Sequence, residues 1–261
     1  MSNSISNLSM AFTVFFILIP MMLSYWYALG LSRAVLWSSI RGSIQLVAIG
    51  FVLTYLFDLP PGIGIFIMLM VMITVASLHA AKKAQDLPHV KMALFGVITL
   101  IETGVLGMWL VFGMAEFTAE QVIPMSGMVI GNSMVAAGLA LDRIQDEFTE
   151  GKGRILAALS LGATPKQASQ LILRKTLQAA MIPNIDGLKT IGLVQLPGMM
   201  TGLILGGADP LTAIRYQIVI SLSIFSAVSV SAMLVTLIMY RVFFNKQMQL
   251  RDFSIDNQGG R

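Results

Sequence analysis

The sequence predicts an all-α polytopic membrane protein with about seven transmembrane helices and a cytoplasmic helix-turn-helix loop between the fifth and sixth. Three observations carry that prediction. Of 261 residues, 56% are hydrophobic and only 11% charged, whereas soluble domains hold about 25% charged residues; the mean hydropathy is +0.80. Seven apolar stretches reach the roughly 20 residues that a helix needs to cross a bilayer core about 30 Å thick. Finally, cations crowd into every second connection between these stretches. The whole chain, 1–261, reads as a single transmembrane domain.

The first stretch, residues 8–29, has no Lys or Arg before it and is too long for the apolar core of a signal peptide, so it is expected to persist as a span with Pro20 as a kink. The others lie near 34–57, 62–80, 91–115, 122–141, 185–207 and 213–244. Arg33 follows the first span, and Lys82, Lys83 and Lys91 surround the third connection. Seven cations from Arg143 to Lys189 fill the fifth, and Arg241, Lys246, Arg251 and Arg261 end the chain. The alternate segments carry Arg215 alone. Cytoplasmic loops collect Lys and Arg, so the N-terminus is expected outside and the C-terminus in the cytoplasm of a cell inner membrane. Tyr25, Trp26, Tyr27, Trp37 and Tyr240 then fall at the inner interface, and Tyr55, Trp109 and Tyr216 at the outer one. The net charge of +4 reads as orientation and contact with anionic lipid, not as nucleic-acid binding. With no cysteine, disulfides, thiolate metal sites and thiol nucleophiles are excluded.

The connection 142–184 is the one long enough to fold by itself. "DRIQDEFTE" continues the fifth span as a polar helix until the glycines of "GKG" at 151–153 break it. "RILAALSL" forms a short helix, Gly162 ends it in the left-handed conformation, and "TPKQ" starts another. Thr164 caps the Gln167 amide, Gln167 reaches back, and Pro165 takes the first turn, where a missing amide costs nothing. Pro183 is expected to end that second arm. The apolar surface of the first arm lies either against the protein's own helices and the headgroups or against a cytoplasmic partner. The tail 245–261 is expected to be mobile.

"AALSLG" resembles the cytoplasmic loop of ABC transporter permeases, matching at Ala157, Ala158 and Gly162, with Leu156 where the family's glutamate stands. A fuller resemblance runs from about Met128 to Ile218. "VIGNSMVAAGLALDRI", "LGATPKQA", "MIPNIDGLKTIGLVQLPGMMTGLILGGADPL" and "AIRYQI" together look like the FetB family of bacterial permeases, which is related to plant half-transporters of aluminium tolerance. The resemblance implies a permease subunit working as a homodimer with a separate ATP-binding ABC subunit, exporting iron or a related metal. It also implies that Arg154, Ala157, Ala158, Gly162, Ala163, Thr164 and Pro165 couple the chain to that ATPase. No G-x-x-x-x-G-K-[ST] occurs, so ATP and Mg²⁺ are expected on the partner and this chain is expected to be no enzyme.

Within the spans, Glu102 is the one carboxylate at depth, where a charge costs roughly 3 kcal/mol or more. Gln45, Asn132 with the neighbouring Ser133, and Gln195 come from three other spans at similar depth. If they converge, they line a substrate pathway suited to a hard cation, with Glu102 as its candidate metal ligand; otherwise each bonds a neighbouring helix. Nineteen methionines read mainly as packing, and His79 and His89 are too few for a metal site. Asp186 and Lys189 suit a local ion pair. Gly127 with Gly131, and Gly198, Gly202 and Gly206, have the spacing that lets helices approach closely, within one chain or across a homodimer seam. Pro197-Gly198 interrupts the sixth span, as in helices that line substrate paths. A proton-coupled secondary transporter using Glu102 and a non-transporting scaffold remain open.

Overall fold

The computed structural model describes residues 12–84, 87–194, 196–245 and 247–251, together with Ser6 and Met10. It divides into two compact units, Met1–Pro60 and Pro61–Arg261.

The first unit is a helical hairpin. Its α1, Val14–Trp26, contains Pro20 and has 13 residues, and its α2, Ser32–Phe57, has 26. At about 1.5 Å per residue, α2 is long enough to cross a bilayer core whereas α1 is not. The connection turns on Ala28 and Gly30, both at positive φ. Ser24 holds it from within: its carbonyl accepts from the Leu29 amide at 2.9 Å and its buried hydroxyl accepts from the Leu31 amide at 3.0 Å. Two helices alone cannot cover each other all round, and Phe16, Trp37, Leu46 and Phe51 stay exposed.

The second unit contains α3, Pro61–Ala81, α4, Val90–Val111, and α5, Ala119–Glu150. Then come α6, Lys152–Ser160, α7, Pro165–Thr190, α8, Gly198–Leu205, and α9, Pro210–Met239. Short 3₁₀ turns at Lys82–Ala84 and Tyr240–Phe243 end α3 and α9. The centre is α5, which packs against α3, α4, α7 and α9. Small residues explain its position: Ala136, Ala137, Gly138 and Ala140 are buried on it, beside Val122, Met125, Val129 and Leu141. In lipid, such residues let backbones approach closely enough for dispersion contacts to drive association. Gly127 belongs to the same device, since a Cβ there would stand 2.7 Å from Met72 Cε of α3.

Hydrogen bonds between spans reinforce the contacts. Trp109 Nε1 of α4 donates to Ser223 Oγ of α9 at 2.8 Å, and Ser231 Oγ of α9 donates to the Ser133 carbonyl of α5 at 3.0 Å. Trp109, expected at the outer interface, is turned into the core because its indole N–H finds a partner there. At the end of the bundle where α3 finishes, Lys83 pairs with Asp142 at 2.8 Å, and the Phe148 ring stacks on Phe243 with centroids 4.2 Å apart.

Among the described residues five helices are long and apolar enough to cross a membrane: Ser32–Phe57, Gly62–Ala84, Val90–Val111, Ala119–Glu150 and Pro210–Phe243. The remaining two of the seven expected spans correspond to the short α1 and to a broken segment. Pro183 does not end the second arm of the loop as expected. It sits inside α7, which runs on to Thr190, and the chain breaks at 191–197 before α8. A proline removes only one intrahelical bond, which neighbouring helices can make tolerable inside a bundle. Of the tail 245–261, the segment 245–251 folds back, with Phe244 bridging Leu250; residues 252–261 lie outside the described residues, as does Lys246.

Candidate functional site

The polar loop folds as its residues dictate. Gly151 ends α5, and a Cβ there would meet the Glu147 carbonyl at 2.8 Å and Ile172 Cδ1 at 3.2 Å. Glycine thus allows α7 to lie against the α5–α6 corner. At the end of α6 the Ala163 amide donates to the Ala158 carbonyl and the Gly162 amide to Leu159, both at 3.0 Å, with Gly162 at φ +87°. This paired closure requires a left-handed residue, which glycine supplies without strain. Thr164 and Gln167 then form a reciprocal capping box: the Thr164 amide donates to Gln167 Oε1 at 2.9 Å, and the Gln167 amide to Thr164 Oγ1 at 3.4 Å. Pro165 opens α7.

The hairpin buries one side and presents the other. Ile155 and Ile172 close the seam between α6 and α7, and Lys175 ties α7 to Glu147 of α5 at 3.1 Å. Arg154, Ala157, Gly162 and Thr164 are exposed, and Ala158, Ala163 and Pro165 are half-buried. At the tip Leu161 is 90% exposed and Leu156 is 44% exposed. The turn therefore leaves two large apolar side chains uncovered at its tip.

Inside the second unit the polar residues separate into two places. Glu102 is 2% exposed, on the face of α4 toward α5. Its carboxylate interacts with the Ser126 hydroxyl, but in a geometry too loose to count as a hydrogen bond, and neither of its oxygens has a hydrogen-bond partner. Thr99, one turn earlier on α4, and Ser133, two turns beyond Ser126 on α5, also carry buried, unpartnered hydroxyls. Asn132 lies on another face of α5, roughly 120° from Ser126 by helical periodicity, and its Nδ2 donates to the Met128 carbonyl at 2.8 Å. It lines a cavity of about 270 Å³ between α5, α7, α9 and the start of α8, together with Asn184, Gln217 and Ser221. Glu102 does not line it. Gln45 belongs to the first unit and is exposed there, and Gln195 lies outside the described residues.

Gln217, Ser221 and Asn184 escape the sequence reading. Gln217 and Ser221 stand four apart in an apolar stretch, so they share a helix face, and that spacing is the signal that could have exposed them. Gln217 Nε2 donates to Ser221 Oγ at 2.8 Å, while its buried Oε1 has no partner. A second cavity of about 420 Å³, lined by Gly192, Leu196, Met200, Ile214, Ile218 and Leu222, shares Gln217 and Ser221 with the first. Among the described residues no group of three or more His, Asp or Glu gathers to hold a metal ion.

Gly131, Gly198 and Gly202 have open space where a Cβ would stand, and Gly206 faces only the carbonyls of its own helix. Of the two small-residue stripes, only Gly127 makes a close approach to another helix within the chain. Asp186 and Lys189 pair on the surface at 2.9 Å.

Comparison with known proteins matches this architecture to a set of membrane proteins. The chain is 37% identical over 249 residues to the protein named "Probable iron export permease protein FetB" of Escherichia coli K12, covering 95% of this chain and 96% of that one. It is 37% identical over 231 residues to "UPF0014 membrane protein STAR2" of Oryza sativa subsp. japonica, covering 88% and 81%. With "Protein ALUMINUM SENSITIVE 3" of Arabidopsis thaliana it shares 35% over 243 residues, covering 92% and 89%. No solved structure matches the chain. A family model spans residues 7–244, nearly all of the helical framework, and the chain is thus a multi-pass membrane protein belonging to the family described as Uncharacterised protein family (UPF0014).

Proposed function

We propose that this chain is the membrane-spanning permease subunit of an ATP-driven ABC transporter that moves iron or a related metal out across the inner membrane. It works as a homodimer with a separate subunit that binds ATP and Mg²⁺, and is itself no enzyme. The observation that carries the reading is the α6–α7 turn: a capped hairpin on the cation-rich side, with Leu161 uncovered at its tip. Arg154, Ala157, Ala158, Gly162, Ala163, Thr164 and Pro165 form its docking surface. The name of the Escherichia coli relative supports the direction and the cargo.

On this reading α7 is the transmitting element. It begins at the docking turn and, at about 1.5 Å per residue, carries any displacement roughly 39 Å to the break at 191–197. The pathway draws on Asn132, which lines the cavity between α5, α7, α9 and the start of α8. Gly198, Gly202 and Gly206, with open space over the first two, supply the homodimer seam.

The test is co-purification of the full chain with a candidate ATP-binding subunit. Deletion of 154–170, or Leu161→Asp alone, is expected to abolish the association while leaving membrane insertion intact. Retained association overturns the coupling role. Glu102, buried without a hydrogen-bond partner, favours a second reading, a proton-coupled secondary transporter. In that case metal efflux from vesicles persists without ATP and collapses with an uncoupler; in the first it requires ATP.

A further inference from the structure

We propose that the cavity lined by Asn132, Asn184, Gln217 and Ser221 is the cargo site, and that it takes the metal inside a charge-neutral, oxygen-rich chelate and not as a bare ion. The inference rests on the transporter reading and adds to it the place and the chemical form of the cargo.

The lining is the first reason. Every described side chain around this cavity and its neighbour is uncharged, and the polar ones are two asparagines, one glutamine and one serine. A di- or trivalent ion stripped of water needs carboxylates or a full oxygen shell to offset its lost hydration, and a few amides at the wall of an apolar cavity supply neither. The intramembrane carboxylate, Glu102, faces Ser126 and is not part of the wall. A chelate whose ligands already neutralise the metal carries its oxygen shell with it. It asks the protein only for hydrogen bonds at its rim and for apolar surface around its carbon skeleton.

The shape supplies both. One compartment holds the amides and the serine, and the adjoining one is walled by Leu196, Met200, Ile214, Ile218 and Leu222, with Gln217 and Ser221 on the boundary. Together they fall within the roughly 300–1,000 Å³ typical of small-molecule sites, which pair an apolar lining with a few placed polar groups. Gln217 lines both compartments and its Nε2 is bonded to Ser221 Oγ, so this amide–hydroxyl pair is the polar element at their boundary. Ile191, Gly192, Leu196 and Pro197, which lie between α7 and α8, also line these compartments, as expected where a helix breaks beside a cavity. Pro183, Asn184, Gly187 and Leu188 of α7 also line the wall, so displacement of α7 changes the cavity directly.

The experiment uses the full chain in lipid nanodiscs without any ATP-binding subunit, with binding read by equilibrium dialysis. The probes are tris(maltolato)iron(III), a neutral complex, and ferrous ion kept under argon. The wild type is expected to retain the neutral complex and not the ion. Gln217→Glu, nearly isosteric, is expected to weaken the complex at least tenfold and to gain binding of ferrous ion. Asn184→Leu is expected to weaken the complex without gaining the ion. Thermal melting of each variant checks that it is folded. Three results overturn the proposal: ferrous ion bound by the wild type in preference to the complex, a complex insensitive to both substitutions, or neither probe retained. Because no ATPase is present, such a failure leaves the co-purification result standing, and a failed co-purification leaves this binding readable.

Discussion

Single side chains decide several contacts on which the second unit depends. Gly151 is the least forgiving, because a Cβ would stand 2.8 Å from a backbone carbonyl that cannot move without unwinding α5. Gly151→Ala is therefore expected to lower stability by about 1–3 kcal/mol, the range for overpacking, as measured by thermal unfolding in detergent. Gly127→Ala should cost less despite a 2.7 Å approach, since the atom it meets is the flexible end of Met72. Trp109→Phe keeps most of the buried ring but removes the bond to Ser223. A loss of about 0.6–1 kcal/mol in the same melt is expected, the usual worth of one interhelical hydrogen bond in a membrane protein. Of the candidate site residues, Glu102 and Asn132 announce themselves as polar letters in apolar runs. Asn184 and Gln217 do not, because one follows a proline read as a helix end and the other sits near the start of a span.

At the scale of elements, the loop was legible because its signals are local. The glycines, Thr164, Pro165 and Gln167 act on neighbours within three or four residues, where backbone chemistry alone chooses the conformation. Thr164→Ala removes the cap of α7 and should cost about 1 kcal/mol locally. Hydrogen exchange is expected to rise at the amides of residues 166–168 and to stay unchanged beyond Ile172. If exchange stays slow throughout, packing of Ile155 on Ile172 and not the cap holds the start of α7. The continuation of α7 through Pro183 was not legible. Proline's lost bond is visible in the sequence, but the flanking contacts from α5 and α9 that make it tolerable are not.

At the scale of the molecule, the alternation of cations makes a topology that can be checked directly. The chain has no cysteine, so each introduced one reports alone. Ala208→Cys is expected to react with a membrane-impermeant maleimide in intact cells, whereas Ser160→Cys and Arg251→Cys should react only after permeabilisation. Labelling of Ser160→Cys from outside would reverse the assignment and remove the α6–α7 turn from the side where ATP is available. A Gly-Gly insertion after Gln178 tests α7 as a rod. It should spare association with the ATP-binding subunit and ATP hydrolysis but abolish metal efflux from vesicles, because two glycines cost roughly 2 kcal/mol of helix propensity and uncouple the ends. Efflux at the wild-type rate would show that the coupling travels another way.

The sequence by itself determined the class of the molecule, five of its apolar spans and the capped turn. Each follows from composition or from interactions a few residues long. Only the tertiary structure decided which polar groups meet. Helix α5 presents Ser126 to Glu102 on one face and Asn132 to the α7–α9 cavity on another, so residues at similar depth do not share a site. Depth can be read along one helix, but the partner of each face depends on how several helices pack, and that packing is fixed by buried small residues and interspan hydrogen bonds no local pattern encodes.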